Sequence, residues 1–209
     1  MDSVRTVDID DDSYIDRLHV VRAEEDSLIE RLIFDRRYLA DMFRIDALTG
    51  LHNRKILPKV RDYGAVVMCD VDDFKSINDS LGHVVGDRAL RSIGHSITEN
   101  IRVGDVGCRF GGDEFLIIFT TNNREVIGRR LRKIVADANQ EAKLPGLPIT
   151  LSMGVAFKED NESLEELMNK ADQALYESKG NGKDQVTYYE RGKVYEHKRP
   201  DGRRLEVRS

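Results

Sequence analysis

Two rhythms of apolar positions divide the chain. Through Leu18, Val21, Glu25, Leu28, Leu32, Asp35, Leu39 and Met42 the spacing alternates between three and four, and neither Pro nor Gly interrupts it. Six of these eight positions are apolar, which favours a helix of about 30 residues whose seam pairs with a second helix. The same stripe would also serve a helix lying on its own domain, and Glu25 and Asp35 weaken either arrangement. From Tyr63 the rhythm changes to short buried runs. "YGAVVMCDV" predicts a strand, "DDFKSINDSLG" a short helix and "VGDRALRSIGHSITENI" a longer one with Leu90, Ile93 and Ile97 on one face. "VGCRF" and "FLIIFT" follow as two strands around a Gly-Gly turn. A helix from Arg124 to Asn139, a strand "ITLSMGVAF", a helix "SLEELMNKADQALYESKG" and a last strand near "DQVTYY" complete the pattern. The βααββαβ order predicts an α/β domain of the α+β type, one mixed sheet with helices on a face.

The resulting organisation is an acidic, aperiodic arm over 1–13, the helix over 14–45, one domain over 46–189 and a basic, polar tail over 190–209. With "RPDGRR" as a turn, that tail either adds a marginal hairpin or stays loose. Composition supports a globular protein: of 209 residues, 40% are hydrophobic and 34% charged. A net charge of −5 argues against a nucleic-acid partner, which would need a cationic face, while leaving room for one bound nucleotide. No run approaches the roughly 20 apolar residues that span a bilayer, and "MDSVRTVDIDDD" does not resemble a signal peptide. The expected location is the cytoplasm, where Cys69 and Cys108, each in an apolar run, are free buried thiols.

The candidate chemistry is acidic. In "RFGGDEF" the glycines Gly111 and Gly112 allow positive φ and let a ligand approach the backbone. Asp113 and Glu114 leave the strand on opposite faces, and a divalent cation would relieve their repulsion. Asp70 ends a buried strand, where open sheets bind ligands. Asp70 and Asp113 together would make a two-carboxylate platform for phosphoryl chemistry. Asp72 and Asp73 open the next helix and are explained equally well as caps. The helix start at Phe74 and Lys75 offers free N–H groups and a charge to a phosphate, and Lys179 and Lys183 flank a flexible "GNG"; solvated surface lysines explain all three as well. Asn78 and Asp87 suit a guanine edge, or serve as a helix terminator and an N-cap.

In this order, "DALTGLHNR", "CDVDDFKSINDSLGHVVGD", "RFGGDEF", "TLSMGVA" and "ADQALYESKGNGK" closely resemble the GGDEF domain of bacterial diguanylate cyclases. The resemblance covers residues 46 to about 188. It implies a fold similar to adenylyl cyclases and polymerase palm domains, and condensation of two GTP into cyclic di-GMP. It further implies Mg²⁺ (or Mn²⁺) held by Asp70, Asp113 and the Val71 carbonyl, with Glu114 near the metals and the ribose 3′-hydroxyl. Asn78 and Asp87 then match the guanine-reading pair, while Phe74, Lys75 and Lys179 match positions around the triphosphate. Gly111 and Gly112 would lie against the nucleotide. Lys183 replaces a more usual arginine, keeping charge without the bidentate fork, and Asp184 replaces a common asparagine. Relatives that make a mixed adenine-guanine product carry serine where Asp87 stands, so cyclic di-GMP is the expected product.

Arg102 and Asp105 in "RVGD" have the spacing of the family's product-inhibition site, which Arg130 would complete; a helix-end arginine and a turn aspartate account for the same residues. Two GTP molecules facing each other imply a homodimer, assembled by the 14–45 helix. The rival expectations are a receptor that binds cyclic di-GMP or GTP without turnover, and an adaptor working through the long helix.

Overall fold

The computed structural model describes residues 27–32, 44–144, 146–190 and 193–198. The chain divides into two compact units, residues 1–43 and 44–209. In the first, residues 27–32 are helical, and Leu28 and Leu32 of the seam are both 58% exposed. The remaining seam positions lie outside the described residues.

The second unit is built on an open seven-stranded mixed sheet. Its elements are β1 (His52–Asn53), a 3₁₀ turn (Arg54–Lys59), β2 (Ala65–Val71), α1 (Phe74–Leu81), α2 (His83–Asn100), β3 (Val106–Arg109), β4 (Glu114–Phe119), α3 (Arg124–Ala142), β5 (Leu151–Phe157), α4 (Leu164–Gly180), β6 (Val186–Glu190) and β7 (Lys193–Lys198). The strand order is β1-β3-β4-β2-β5-β6-β7. β2 sits at the centre, antiparallel to both β4 and β5, while β1 on β3 and β6 on β5 are the parallel pairs. The tail alternative resolves for residues 193–198, which pair antiparallel with β6.

The continuous apolar run of β2 is explained by burial on both of its faces. Val67, Cys69 and Val71 join Leu90, Ile93, Ile97, Ile127, Leu131 and Ile134 in one core. Val66 and Met68 join Leu116, Ile118, Leu167, Ala171 and Leu175 in the other. Helices therefore cover both faces, α2 and α3 on one and α4 on the other, where the sequence pattern suggested a single covered face. The two cysteines fall into opposite cores, so they cannot pair. Burial pushes both thiols up, Cys108 to about 12.

Two junctions position the site. Gly82, at φ 84°, separates α1 from α2 and donates its N–H to the Asn78 carbonyl at 2.9 Å. The break folds the two helices into a corner. At Gly154 a Cβ would run into the backbone of Ala171 and Leu175, so α4 lies directly on β5. A Ser163–Glu166 capping box starts that helix.

Candidate functional site

The acids gather where β2 and β4 end. Asp70 is the cross-strand partner of Glu114, and the Val71 N–H donates to the Asp113 carbonyl at 3.1 Å. Asp70 is only 14% exposed and accepts from Lys179 Nζ at 2.7 Å. A paired carboxylate ordinarily titrates low, yet Asp70 is raised: burial is the largest cause, Lys179 opposes it, and the charges of Asp113 and Asp72 add to the rise. Asp70 and Asp113 thus meet at the same end of the β2–β4 pair.

Among the described residues no three His, Cys, Asp or Glu side chains form a cage for a cation. A divalent cation such as Mg²⁺ is usually held by one or two carboxylates together with substrate phosphates. Asp70, Asp113 and the Val71 carbonyl at the same strand end fit this donor set, and the raised Asp70 marks negative charge that a cation would relieve.

The glycines of the β3–β4 loop do not use the positive φ open to them. Neither Gly111 nor Gly112 has positive φ; the turn is closed instead by the Phe110 N–H donating to the Glu114 carbonyl at 2.8 Å. Gly111 makes room for Glu114, whose carboxylate occupies the space a Cβ at 111 would need, with Cδ 3.2 Å and Cβ 3.3 Å from that point. Gly112 faces open space. Its carbonyl accepts from Arg109 Nε at 3.0 Å and Nη2 at 2.6 Å, and Arg109 Nη1 reaches Asp46 at 3.3 Å.

A cavity of about 440 Å³ is lined by Phe74, Lys75, Asn78, Asp79, His83, Asp87, Leu90, Arg109, Gly112 and Asp113. Six of these residues are predicted site positions. A larger depression of about 690 Å³ around Tyr63, Thr120 and Lys158 lies at the opposite end of the strands and holds none of them. Asn78 packs so closely on Gly86 that any Cβ there would overlap its side chain. Asn78 is interior to α1 and Asp87 interior to α2, whose N-cap is Gly82, so Asp87 is no cap and Asn78 is not the residue that ends its helix. Asp87 lies 3.8 Å from Arg91.

Lys179 and Lys183 do not line this cavity. They arrive from the end of α4, Lys179 onto Asp70 and Lys183 onto Asp73 at 2.6 Å. The Asp73 contact is the main reason Lys183 is raised above the usual lysine range. Neither Asp72 nor Asp73 caps α1. Asp73 occupies the N-cap at φ 52° without a side-chain cap bond, and Asp72 is buried, its Oδ1 accepting from Ser152 Oγ at 2.6 Å.

The "RVGD" pair separates in environment. Arg102 is exposed, whereas the Asp105 side chain is 2% exposed. Asp105 Oδ1 accepts from the Thr120 N–H at 2.9 Å and from Thr120 Oγ1 at 3.0 Å. Its Oδ2 accepts from the Arg102 N–H at 3.0 Å and from Arg130 Nη1 at 2.7 Å. Burial would raise this carboxylate, but the four donors outweigh it and hold Asp105 low. Both Asp105 oxygens are thus engaged, by the turn and by α3.

Sequence reasoning assigned no role to Asp46, Arg109, His83 or Ser152. Arg109 and Asp46 stand inside quoted motifs, and a charge beside a glycine loop was the available signal for Arg109; Ser152, a serine in an apolar strand, carried none.

An open mixed sheet that concentrates acids and lysines at one end, beside a polar cavity, is the class of domain defined here. Residues 43–185 match the family described as diguanylate cyclase, GGDEF domain, and the chain belongs to that family. It is 37% identical over 156 residues to the diguanylate cyclase DgcP of Pseudomonas aeruginosa, covering 68% of this chain and 23% of DgcP. It is 34% identical over 179 residues to the cyclic di-GMP phosphodiesterase NbdA of the same organism, covering 79% of this chain and 23% of NbdA. The chain thus matches under a quarter of either protein. The crystal structure of the coiled coil and GGDEF domain of DgcB from Caulobacter crescentus, in complex with c-di-GMP, superposes with a TM-score of 0.67 at 26% identity, over 82% of this chain and 98% of that one. Among the described residues no helix is long and apolar enough to cross a membrane.

Proposed function

We propose that residues 46–189 form a diguanylate cyclase that condenses two GTP into cyclic di-GMP and pyrophosphate, as a homodimer in the cytoplasm. The observation that carries this is the placement of Asp70 and Asp113 at one end of the β2–β4 pair, with Asp113 lining the same cavity as Asn78 and Asp87. A guanine edge offers N–H donors and a carbonyl acceptor, which the Asp87 carboxylate and the Asn78 amide complement. Lys75, Lys179 and Lys183 would balance the triphosphate. Asp70, Asp113 and the Val71 carbonyl would hold Mg²⁺ or Mn²⁺, which when bound neutralises phosphate charge. Glu114, folded onto Gly111, would orient the ribose 3′-hydroxyl and receive its proton. That oxygen forms a bond to the α-phosphorus of the GTP held by a second copy, the bond to pyrophosphate breaks, and a second such attack closes the ring. The 14–45 helix would bring the two copies together.

Incubation with GTP and Mg²⁺ tests this: pyrophosphate and cyclic di-GMP are expected at a two-to-one ratio, and Glu114→Gln should abolish both. A protein that binds GTP or cyclic di-GMP tightly but yields no product would favour the receptor reading, which the match to NbdA keeps as the second possibility. Product inhibition through Arg102 and Asp105 belongs to the same proposal.

A further inference from the structure

The turn that delivers Lys183 has an uncommon backbone. Gly182, Lys183 and Asp184 take consecutive positive φ values of 104°, 61° and 46°. Two of the three are not glycine, and a side chain at a left-handed residue clashes with its own backbone. Such a run persists only where its surroundings hold it. One side is held by Ser178, whose carbonyl accepts from the Lys183 N–H at 3.1 Å and from Gln185 Nε2 at 2.6 Å. The other side is held by Asp72, whose Oδ2 accepts from the Asp184 N–H at 2.9 Å while Oδ1 accepts from Ser152 Oγ at 2.6 Å. Asp72 is 6% exposed, and each of its oxygens is met by a neutral donor. Burying a carboxylate in that way is costly, and helix capping does not account for it, since Asp72 precedes the N-cap residue Asp73.

The neighbours of Asp72 in sequence are the acids that meet the lysines: Asp70 takes Lys179 and Asp73 takes Lys183. One segment, residues 70–73, therefore carries two acids for the two cations and one buried acid for the turn that holds Lys183. We propose that Asp72 is a positioning residue, its buried carboxylate locking the left-handed 182–184 turn so that Lys179 and Lys183 stand ready for nucleotide phosphates. The proposal rests on the assignment of those two lysines to phosphate binding.

The test uses 3′-deoxy-GTP, which cannot react, and 3′-deoxyguanosine, which has no phosphate, each titrated in Mg²⁺ buffer against the full chain. Asp72→Ala is expected to weaken 3′-deoxy-GTP roughly tenfold and to leave the nucleoside within about twofold, because Asn78 and Asp87 are untouched. Asp72→Asn can still accept the Asp184 N–H while its amide donates to Ser152, and is expected to stay within about threefold of wild type. Amide hydrogen exchange at Lys183 and Asp184 should quicken roughly tenfold in Asp72→Ala. Should that variant fail to fold, Ser152→Ala, which removes one donor, is expected to weaken 3′-deoxy-GTP about threefold with the same sparing of the nucleoside. Unchanged affinity together with unchanged exchange overturns the proposal. So does equal weakening of both ligands, or an Asn variant as weak as the Ala variant. A wild-type protein that binds no 3′-deoxy-GTP would instead defeat the cyclase reading, and exchange alone would then decide whether Asp72 locks the turn.

Discussion

Arg109 joins Asp46, at the entrance of the domain, to the carbonyl of Gly112 in the acidic loop: its Nη1 lies 3.3 Å from one and its Nη2 2.6 Å from the other. The pair is mostly buried, at 17% and 23% exposure. Asp46 also accepts from the Thr49 N–H at 2.9 Å and Thr49 Oγ1 at 2.7 Å. Whatever moves the entrance turn moves the loop that carries Asp113 and Glu114.

Asp46→Asn should therefore destabilise the domain by about 1–3 kcal/mol and lower turnover. Burial raises the Asp46 carboxyl, but the Thr49 bonds and Arg109 outweigh it, leaving Asp46 below its ordinary value of 3.8. Its contribution is thus fully present above pH 3.8 and is lost as pH falls through the lower folded value. Urea midpoints of wild type and Asp46→Asn should differ at pH 7 and converge in strong acid.

Gly111→Ala should leave the fold intact and displace the Glu114 carboxylate, since only the far end of a flexible side chain must move first. Turnover is expected to fall on the order of 10²-fold, as for other small misplacements of reacting groups. Gly112→Ala meets nothing within 4 Å and should keep its melting temperature while raising KM for GTP. Equal kcat in wild type and Gly111→Ala would refute this account of the glycine.

The two residues of "RVGD" should part company on mutation. Asp105→Ala leaves Arg130, 12% exposed, without its carboxylate and is expected to cost about 3 kcal/mol. Arg102→Ala should leave stability unchanged and relieve inhibition by added cyclic di-GMP. Denaturant melts and product-inhibition curves on both variants distinguish the roles.

His95 Nδ1 lies 2.7 Å from Glu141 Oε2, linking α2 to α3. That bond, helped by the charges of Glu141 and Glu99, raises His95 above 6.5. The link is at full strength below pH 6.5 and is lost as pH rises through the higher folded value. An NMR titration should place His95 above 6.5 and show it falling back in Glu141→Gln.

Much of the fold was legible because the apolar period changes where the structure changes: α2, α3, α4 and the strands β2 to β6 lie where the pattern sets them. The distribution of helices over the sheet was not, since β2 is apolar on both faces and its sequence does not say which helix takes which side. At the site, Asp70 could be placed by its strand position, whereas helix position alone left Asn78 and Asp87 between a guanine edge and capping roles. Asp72, Asp73 and Asp105 could not be placed, because a carboxylate that caps a helix, one that pairs with a lysine and one that folds inward look alike in a sequence. The difference lies in contacts with Ser152, Lys183 and Thr120, all distant in the chain.

Gly154 gives the layer between β5 and α4 its thickness. With hydrogen in place of a methyl group, the strand and the helix axis approach as near as peptide atoms permit, and the tip of α4 inherits that height. Enlarging residue 154 would act like a shim under a beam, lifting the far end and taking Lys179 and Lys183 off their acids, so that a substitution in the core would be felt as a loss of grip on phosphate.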